Sequence, residues 1–275
     1  MEKQRLALAK PMMPMPALAM IAVAFFANSA SAEEDGIATD RPDFVESSNT
    51  VGHGRFQFES SINYEKDSAE GVSAKTFSTP TLFRYGFSEN LEARLEMDGF
   101  ISAKTDDSAT GESNKENGIS DIAIGVKWHS YDGNEAEKPS IGWLFHADLP
   151  TGAEAFKGHS IRPSVRGVAE WDLPNAFSLG VMSGLIWDTD SDNKRFVGGI
   201  LGVVVGKEFS DSFRGFVEWS GQELTSDAHG GSNITYDTGV AYLINKMTQV
   251  DTAMSFGAND ETADFSWTLG LSMKF

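Results

Sequence analysis

The chain has 275 residues, a formal net charge of −18 at pH 7 and no cysteine. So acidic a chain excludes electrostatic recognition of nucleic acid, which relies on Lys and Arg to neutralise phosphates. The absence of cysteine excludes a disulfide-stapled secreted scaffold.

At the amino terminus Lys3, Arg5 and Lys10 precede an apolar run from Met12 to Ala27, which closes on Ala30-Ser31-Ala32. This pattern predicts a secretory signal peptide over residues 1–32, removed before Glu33. Beyond it no apolar run of about 18 residues occurs, so a helical membrane protein is excluded. Residues 33–54 follow, and their core, GIATDRPDFVESSNTVGHG, is too polar and turn-rich for a spanning strand.

From there the period switches to two. Alternating segments are predicted at Arg55 to Lys66, Lys75 to Phe87, Leu91 to Ala103, Ile119 to Tyr131, Pro139 to Leu149 and Ser160 to Asp172. Six more follow at Ala176 to Asp188, Arg195 to Glu208, Ser212 to Gly221, Asn233 to Ile244, Thr248 to Gly257 and Asp264 to Phe275. Ser88-Glu89-Asn90, Leu173-Pro174-Asn175, Ser210-Asp211 and Asn245-Lys246-Met247 make tight connections, and Asp132 to Lys138 a longer one on the same side. The opposite connections are expected to be long acidic loops, among them Asp67 to Ala74 and Lys104 to Gly118. Short turns at one rim and long loops at the other are the signature of an outer-membrane barrel. Tyr64, Trp187, Trp219 and Phe256 fall near one set of strand ends and Phe87, Trp128, Trp171, Phe177, Phe213, Tyr242 and Phe275 near the other, as two interfacial girdles would. The last segment ends the chain on an aromatic residue, and Thr268, Gly270, Met273 and Phe275 have the type and spacing of a barrel-insertion signal. The expected fold is all-β: one twelve-stranded antiparallel transmembrane β-barrel of the outer-membrane type over residues 55–275.

Parity then assigns the faces, because successive side chains of a strand point oppositely. With Phe56, Phe58, Ile62 and Tyr64 toward lipid, the lumen is expected to receive Arg84, Arg94, Glu96, Asp98, His129, His146, Arg162, Arg166, Arg214 and Glu218. One reading is that these charges pair across strands and seal the barrel as a structural or surface-interaction protein. The other is that the arginines line a polar conduit for an oxygen-bearing solute. Strand 195–208 is apolar on both faces, which offers such a solute an apolar strip. Residues 33–54 are expected either as a periplasmic tail or as a luminal plug, with Asp40, Arg41 and Asp43 pairing with wall charges.

The stretch TDRPDFVESSNTVGHGRFQFESSINY (Thr39 to Tyr64) resembles the opening signature of the outer-membrane family named for the meta pathway of phenol degradation. The resemblance continues through LFRYGFSENLEARLE, GISDIAIGVKW, HADLPTG, RGFVEWSG and YDTGVAYLIN, so it covers nearly all of the chain after the signal peptide. It implies a barrel in the outer membrane of a Gram-negative bacterium and passage of small organic solutes, and it carries no catalytic motif. The partners expected are outer-membrane lipid and lipopolysaccharide, the barrel-insertion machinery and the solute itself. No cofactor and no metal is expected. A hydrolase on a barrel wall needs a Ser and a His presented together. Parity turns His129 and His146 inward, while His53, His159 and His229 fall in loops or the tail. The carboxylates Asp188, Asp190 and Asp192 start like a calcium loop but lack its glycine and closing glutamate.

Overall fold

A computed structural model describes residues 36–133, 137–190 and 194–275. The predicted signal peptide and its cleavage site lie outside these residues, as do parts of the 132–138 and 189–194 connections. The extended segments are β1 (Phe56–Ala69), β2 (Val72–Ser78), β3 (Thr81–Ser88), β4 (Leu91–Met97), β5 (Phe100–Asp107), β6 (Ser113–Ile119), β7 (Ile122–Tyr131) and β8 (Ser140–Leu149). They continue with β9 (Arg162–Leu173), β10 (Phe177–Thr189), β11 (Arg195–Ser210), β12 (Phe213–Leu224), β13 (Asn233–Asn245), β14 (Thr248–Gly257) and β15 (Phe265–Lys274). Each of the pairs β2 with β3, β4 with β5, and β6 with β7 is one interrupted wall strand, so the wall is a closed antiparallel barrel of twelve strands. Closure runs from Gln57↔Lys274 to Lys66↔Phe265 between β1 and β15. No described helix is long and apolar enough to cross a membrane.

Two expectations about strand boundaries are corrected. The segments Lys75 to Phe87, Leu91 to Ala103 and Ile119 to Tyr131 are not continuous but break at Thr79-Pro80, Asp98-Gly99 and Ser120-Asp121. Pro80 has no N–H for the ladder, and Gly99 sits at φ +66 with its Cα so near Thr79 that a Cβ would lie 2.4 Å from that carbonyl oxygen. Bonds from Thr79 N–H to Asp98 O and from Ser120 N–H to Gly99 O keep the wall joined across the breaks. The second correction concerns the supposed loops Asp67 to Ala74 and Lys104 to Gly118. They are mostly strand: β1, β2, β5 and β6 continue past the rim as a four-stranded extension, turning at Glu70-Gly71 and around Gly111, all at positive φ. Strand pairing satisfies backbone groups and needs no apolar face where both faces meet water, so hydropathy does not reveal it.

The wall has the expected two faces. Outward Ile124, Phe145, Val197 and Val217 are about half exposed, as lipid-facing side chains are when no lipid is present, while Gln57, Arg84, Lys127 and Leu144 beneath them are fully buried. The interior is divided. Strands β1 to β7 contribute Glu59, Arg84, Glu92, Arg94 and Lys127, whereas β8 to β14 contribute Leu144, Val168, Met182, Ile200, Val204, Phe216 and Ala253.

Candidate functional site

Residues 36–54 run through this interior. An irregular segment inside a barrel has no ladder partner, so its buried backbone donors must find acceptors elsewhere. Glutamates from four wall strands supply them. Glu59 of β1 accepts from Asp40 N–H at 3.1 Å and Glu218 of β12 from both Phe44 and Val45 N–H at 2.8 Å. Glu170 of β9 accepts from Ser48 N–H at 2.5 Å and Glu92 of β4 from Val51 N–H at 2.9 Å. In return Arg84 donates to the carbonyls of Ala38 and Asn49, Gln57 to that of Ala38, and Lys127 to that of Ser47.

The charged half of the wall closes on one carboxylate. Asp40 lies 2.5 Å from Arg94, 2.7 Å from Lys127 and 3.3 Å from Arg84. Burial alone would raise its pKa, but Arg84, Lys127 and Arg94 together hold it well below the ordinary carboxylate range. Arg84 also meets Glu92 at 2.8 Å and Glu59 at 3.0 Å. Arg41 reaches to the opposite side of the seam, donating to Thr268 Oγ1 at 2.9 Å and lying 3.3 Å from Asp251. Asp43 is held by burial above its usual pKa, against the opposing field of Arg214. Arg214 itself donates to Thr39 Oγ1 and to the Arg41 carbonyl.

The apolar half is covered by Phe44 and Val45. They pack on Ile200, Val204, Met182 and Phe216, and Gly202 lets them approach so closely that a Cβ there would sit 2.7 Å from Val45 Cγ2. The strip on strand 195–208, expected to face a solute, therefore faces the luminal segment.

Glu96 and Arg166 sit farther from the seam. Arg94 bridges Glu46 at 2.7 Å and Glu96 at 2.6 Å, Arg166 meets Glu46 at 2.8 Å, and His146 Nδ1 lies 3.0 Å from Glu96. Glu46, Glu96 and His146 offer ligand atoms within 4.8 Å of one another, the arrangement a cation requires. Both carboxylates are already neutralised by arginine, so this cluster is chemically an ion-pair network. Arg162 is looser, 3.5 to 4.0 Å from Asp121, Asp188 and Asp148, and Asp98 stands exposed at the strand break. His129 lies at the other mouth, between the Ser48 carbonyl at 3.0 Å and Asp132 at 2.8 Å. Of the insertion-signal residues, Thr268 and Gly270 face the lumen beside Arg41, Phe275 is exposed at the rim, and Met273 is half-buried on the outward parity.

Sequence reasoning did not single out Glu46, nor the seating role of Phe44 and Val45. The available signal was an apolar pair, Phe44-Val45, inside an otherwise polar tail.

Two cavities flank the segment. One, about 310 Å³, opens toward the extension and is lined by Asp98, Asp121, Asp148, Arg162 and Arg166. The other, about 330 Å³, opens toward the turns and is lined by Asp211, Arg214, Leu243 and Gln249. Asp43 lines both.

The family model described as "Putative MetA-pathway of phenol degradation" matches residues 39–275. No curated protein matches the chain. Among solved structures, the COG4313 outer membrane channel from Pseudomonas putida F1 is similar at a TM-score of 0.61 and 12% identity, over 83% of this chain and 98% of that one. The beta domain of the Bordetella autotransporter BrkA is similar at a TM-score of 0.51 and 13% identity, over 80% of this chain and 99% of that one. At such identities the likeness is one of fold.

Proposed function

Because the chain belongs to the phenol-degradation family matched above, we propose that it is an outer-membrane channel for small organic solutes, held closed by residues 36–54. The chain enters the envelope by the predicted signal peptide, and both termini of the barrel lie on the periplasmic side. The observation that carries the reading is the pair of cavities, one toward each mouth, both lined by residues of the luminal segment. Each has the volume of a small-molecule site. Withdrawal of the segment would join them into one passage with a charged side and an apolar side. The apolar side, Met182, Ile200, Val204 and Phe216, suits the ring of an aromatic solute, and the charged side suits its oxygen substituents.

The reading is of a conduit and not of a catalyst. In support, His129 is engaged by the Ser48 carbonyl and Asp132, and His146 by Glu96, so neither is turned to a serine nucleophile.

Deletion of residues 36–54 tests it. In planar bilayers the wild type should conduct little, and the deletion, folded as judged by its β circular dichroism, should show a several-fold larger single-channel conductance and admit small phenols in liposome swelling. A folded deletion that remains closed would instead favour a barrel sealed by its own wall charges, since Arg84, Glu59 and Glu92 can still pair without the segment.

A further inference from the structure

The extension beyond the rim carries a feature that conduction does not use. Lys66 of β1 pairs directly with Lys75 of β2, Lys75 with Lys104 of β5, and Lys104 with Lys115 of β6. Four lysines thus stand side by side on four adjacent strands, a row about 14 Å long at the usual strand spacing. All four are exposed. Directly opposed like charges destabilise a sheet, and here three such pairs follow one another in a chain of net charge −18. The neighbouring rungs hold one acid, Asp106, 2.7 Å from Lys104. The other acids on the strands of the extension, Glu65, Asp67, Asp107 and Glu116, occupy the alternate positions and so the opposite face.

The row has a defined height and direction. Lys66 shares the parity of Ile62 and Tyr64, the lipid-facing side of the wall. Two residues below it, about 7 Å along the strands, Tyr64 pairs with Trp267 on one side and with Phe77 on the other, an aromatic rung of the kind that marks the membrane interface. The lysines therefore stand immediately above the acyl boundary and point outward into the surrounding leaflet.

We propose that this row is a binding site for the phosphorylated headgroup of an outer-leaflet glycolipid. A ligand with more than one phosphate would lie along the row and neutralise the repulsion that the sheet otherwise carries. The proposal rests on the outer-membrane reading for the source of the lipid. It does not depend on the luminal segment or on conduction, so it can fail while those stand.

The experiment uses the protein purified from outer membranes in detergent, with the variant K66Q/K75Q/K104Q/K115Q beside it. Titration with bisphosphorylated lipid A should show saturable binding by the wild type that weakens with salt, and on the order of a hundredfold loss in the variant. A second readout separates ligand binding from tolerance of the charges. In detergent alone the variant should melt at the same temperature as the wild type or higher, because the repulsion is gone. With lipid A present the order should reverse. The variant K66R/K75R/K104R/K115R should restore binding. Equal affinity of wild type and glutamine variant, or equal binding of dephosphorylated lipid A, would overturn the proposal. Inorganic polyphosphate binding as tightly as lipid A would overturn the assignment to a membrane lipid.

Discussion

Asp40 is the residue on which three buried cations converge, and its loss is different from the loss of a surface ion pair. Removing one partner of a buried network leaves uncompensated charge, a penalty of about 3–5 kcal/mol. D40A should therefore release the segment: limited proteolysis between residues 36 and 54 should accelerate, and conductance should rise toward that of the deletion. Asp43 acts in the opposite sense. Its carboxyl is raised by burial, so it binds a proton more tightly in the closed form than in a free chain. The stability it lends is fully present at acid pH and is lost as pH rises above the ordinary carboxylate range. Open probability of the wild type should climb with pH through that interval, and D43N should flatten the climb. Asp40, with a depressed pKa, loses its contribution only in strong acid. At this scale the sequence was legible in one respect: period two assigned Arg84, Arg94, Arg166 and Glu218 to the interior. It could not assign partners, because Glu46 and Glu170 reach their mates across sequence separations of 120 residues and more.

Among the elements, β11 does the most to seat the luminal segment. Its inward face alternates Gly198, Ile200, Gly202 and Val204, and the glycine at 202 is the place where Phe44 and Val45 come closest. G202L should force them away at a cost of about 1–3 kcal/mol without disturbing the wall. The expected result is raised conductance with unchanged circular dichroism. G199L, three residues along the strand and so on the opposite parity, should leave conductance at the wild-type level. The alternation that predicts β11 as a strand also predicts the whole wall, since half-buried strands must alternate. The same signal fades in β2, β5 and β6, where both faces are wet and only the turn residues Glu70-Gly71 and Gly111 mark the hairpins. The strand breaks at Pro80 and Gly99 were written in residue types, but their alignment across neighbouring strands depends on register.

For the molecule as a whole, charge distribution sets what an open channel would favour. Once residues 36–54, which supply Asp40, Arg41, Asp43 and Glu46, are gone, the cavity toward the extension keeps five acidic and three basic lining side chains. An opened channel should therefore pass cations in preference to anions, and the reversal potential of the 36–54 deletion in a salt gradient should lie on the cation side. R162A should move it further that way. Conversion to anion selectivity on the same change would contradict this account of the lining. The segment's anchors are also distributed along the whole chain. Asp40 is gripped by side chains of β3, β4 and β7, whereas Arg41, the next residue, is gripped by Thr268 and Asp251 of the last two strands. These two neighbours thus stitch together the first and final parts of the wall across the seam where β1 meets β15. No such stitch exists until the carboxyl-terminal hairpin is in place, so locking of the stopper is the closing act of assembly, and a chain halted before residue 251 would leave the tube unlatched.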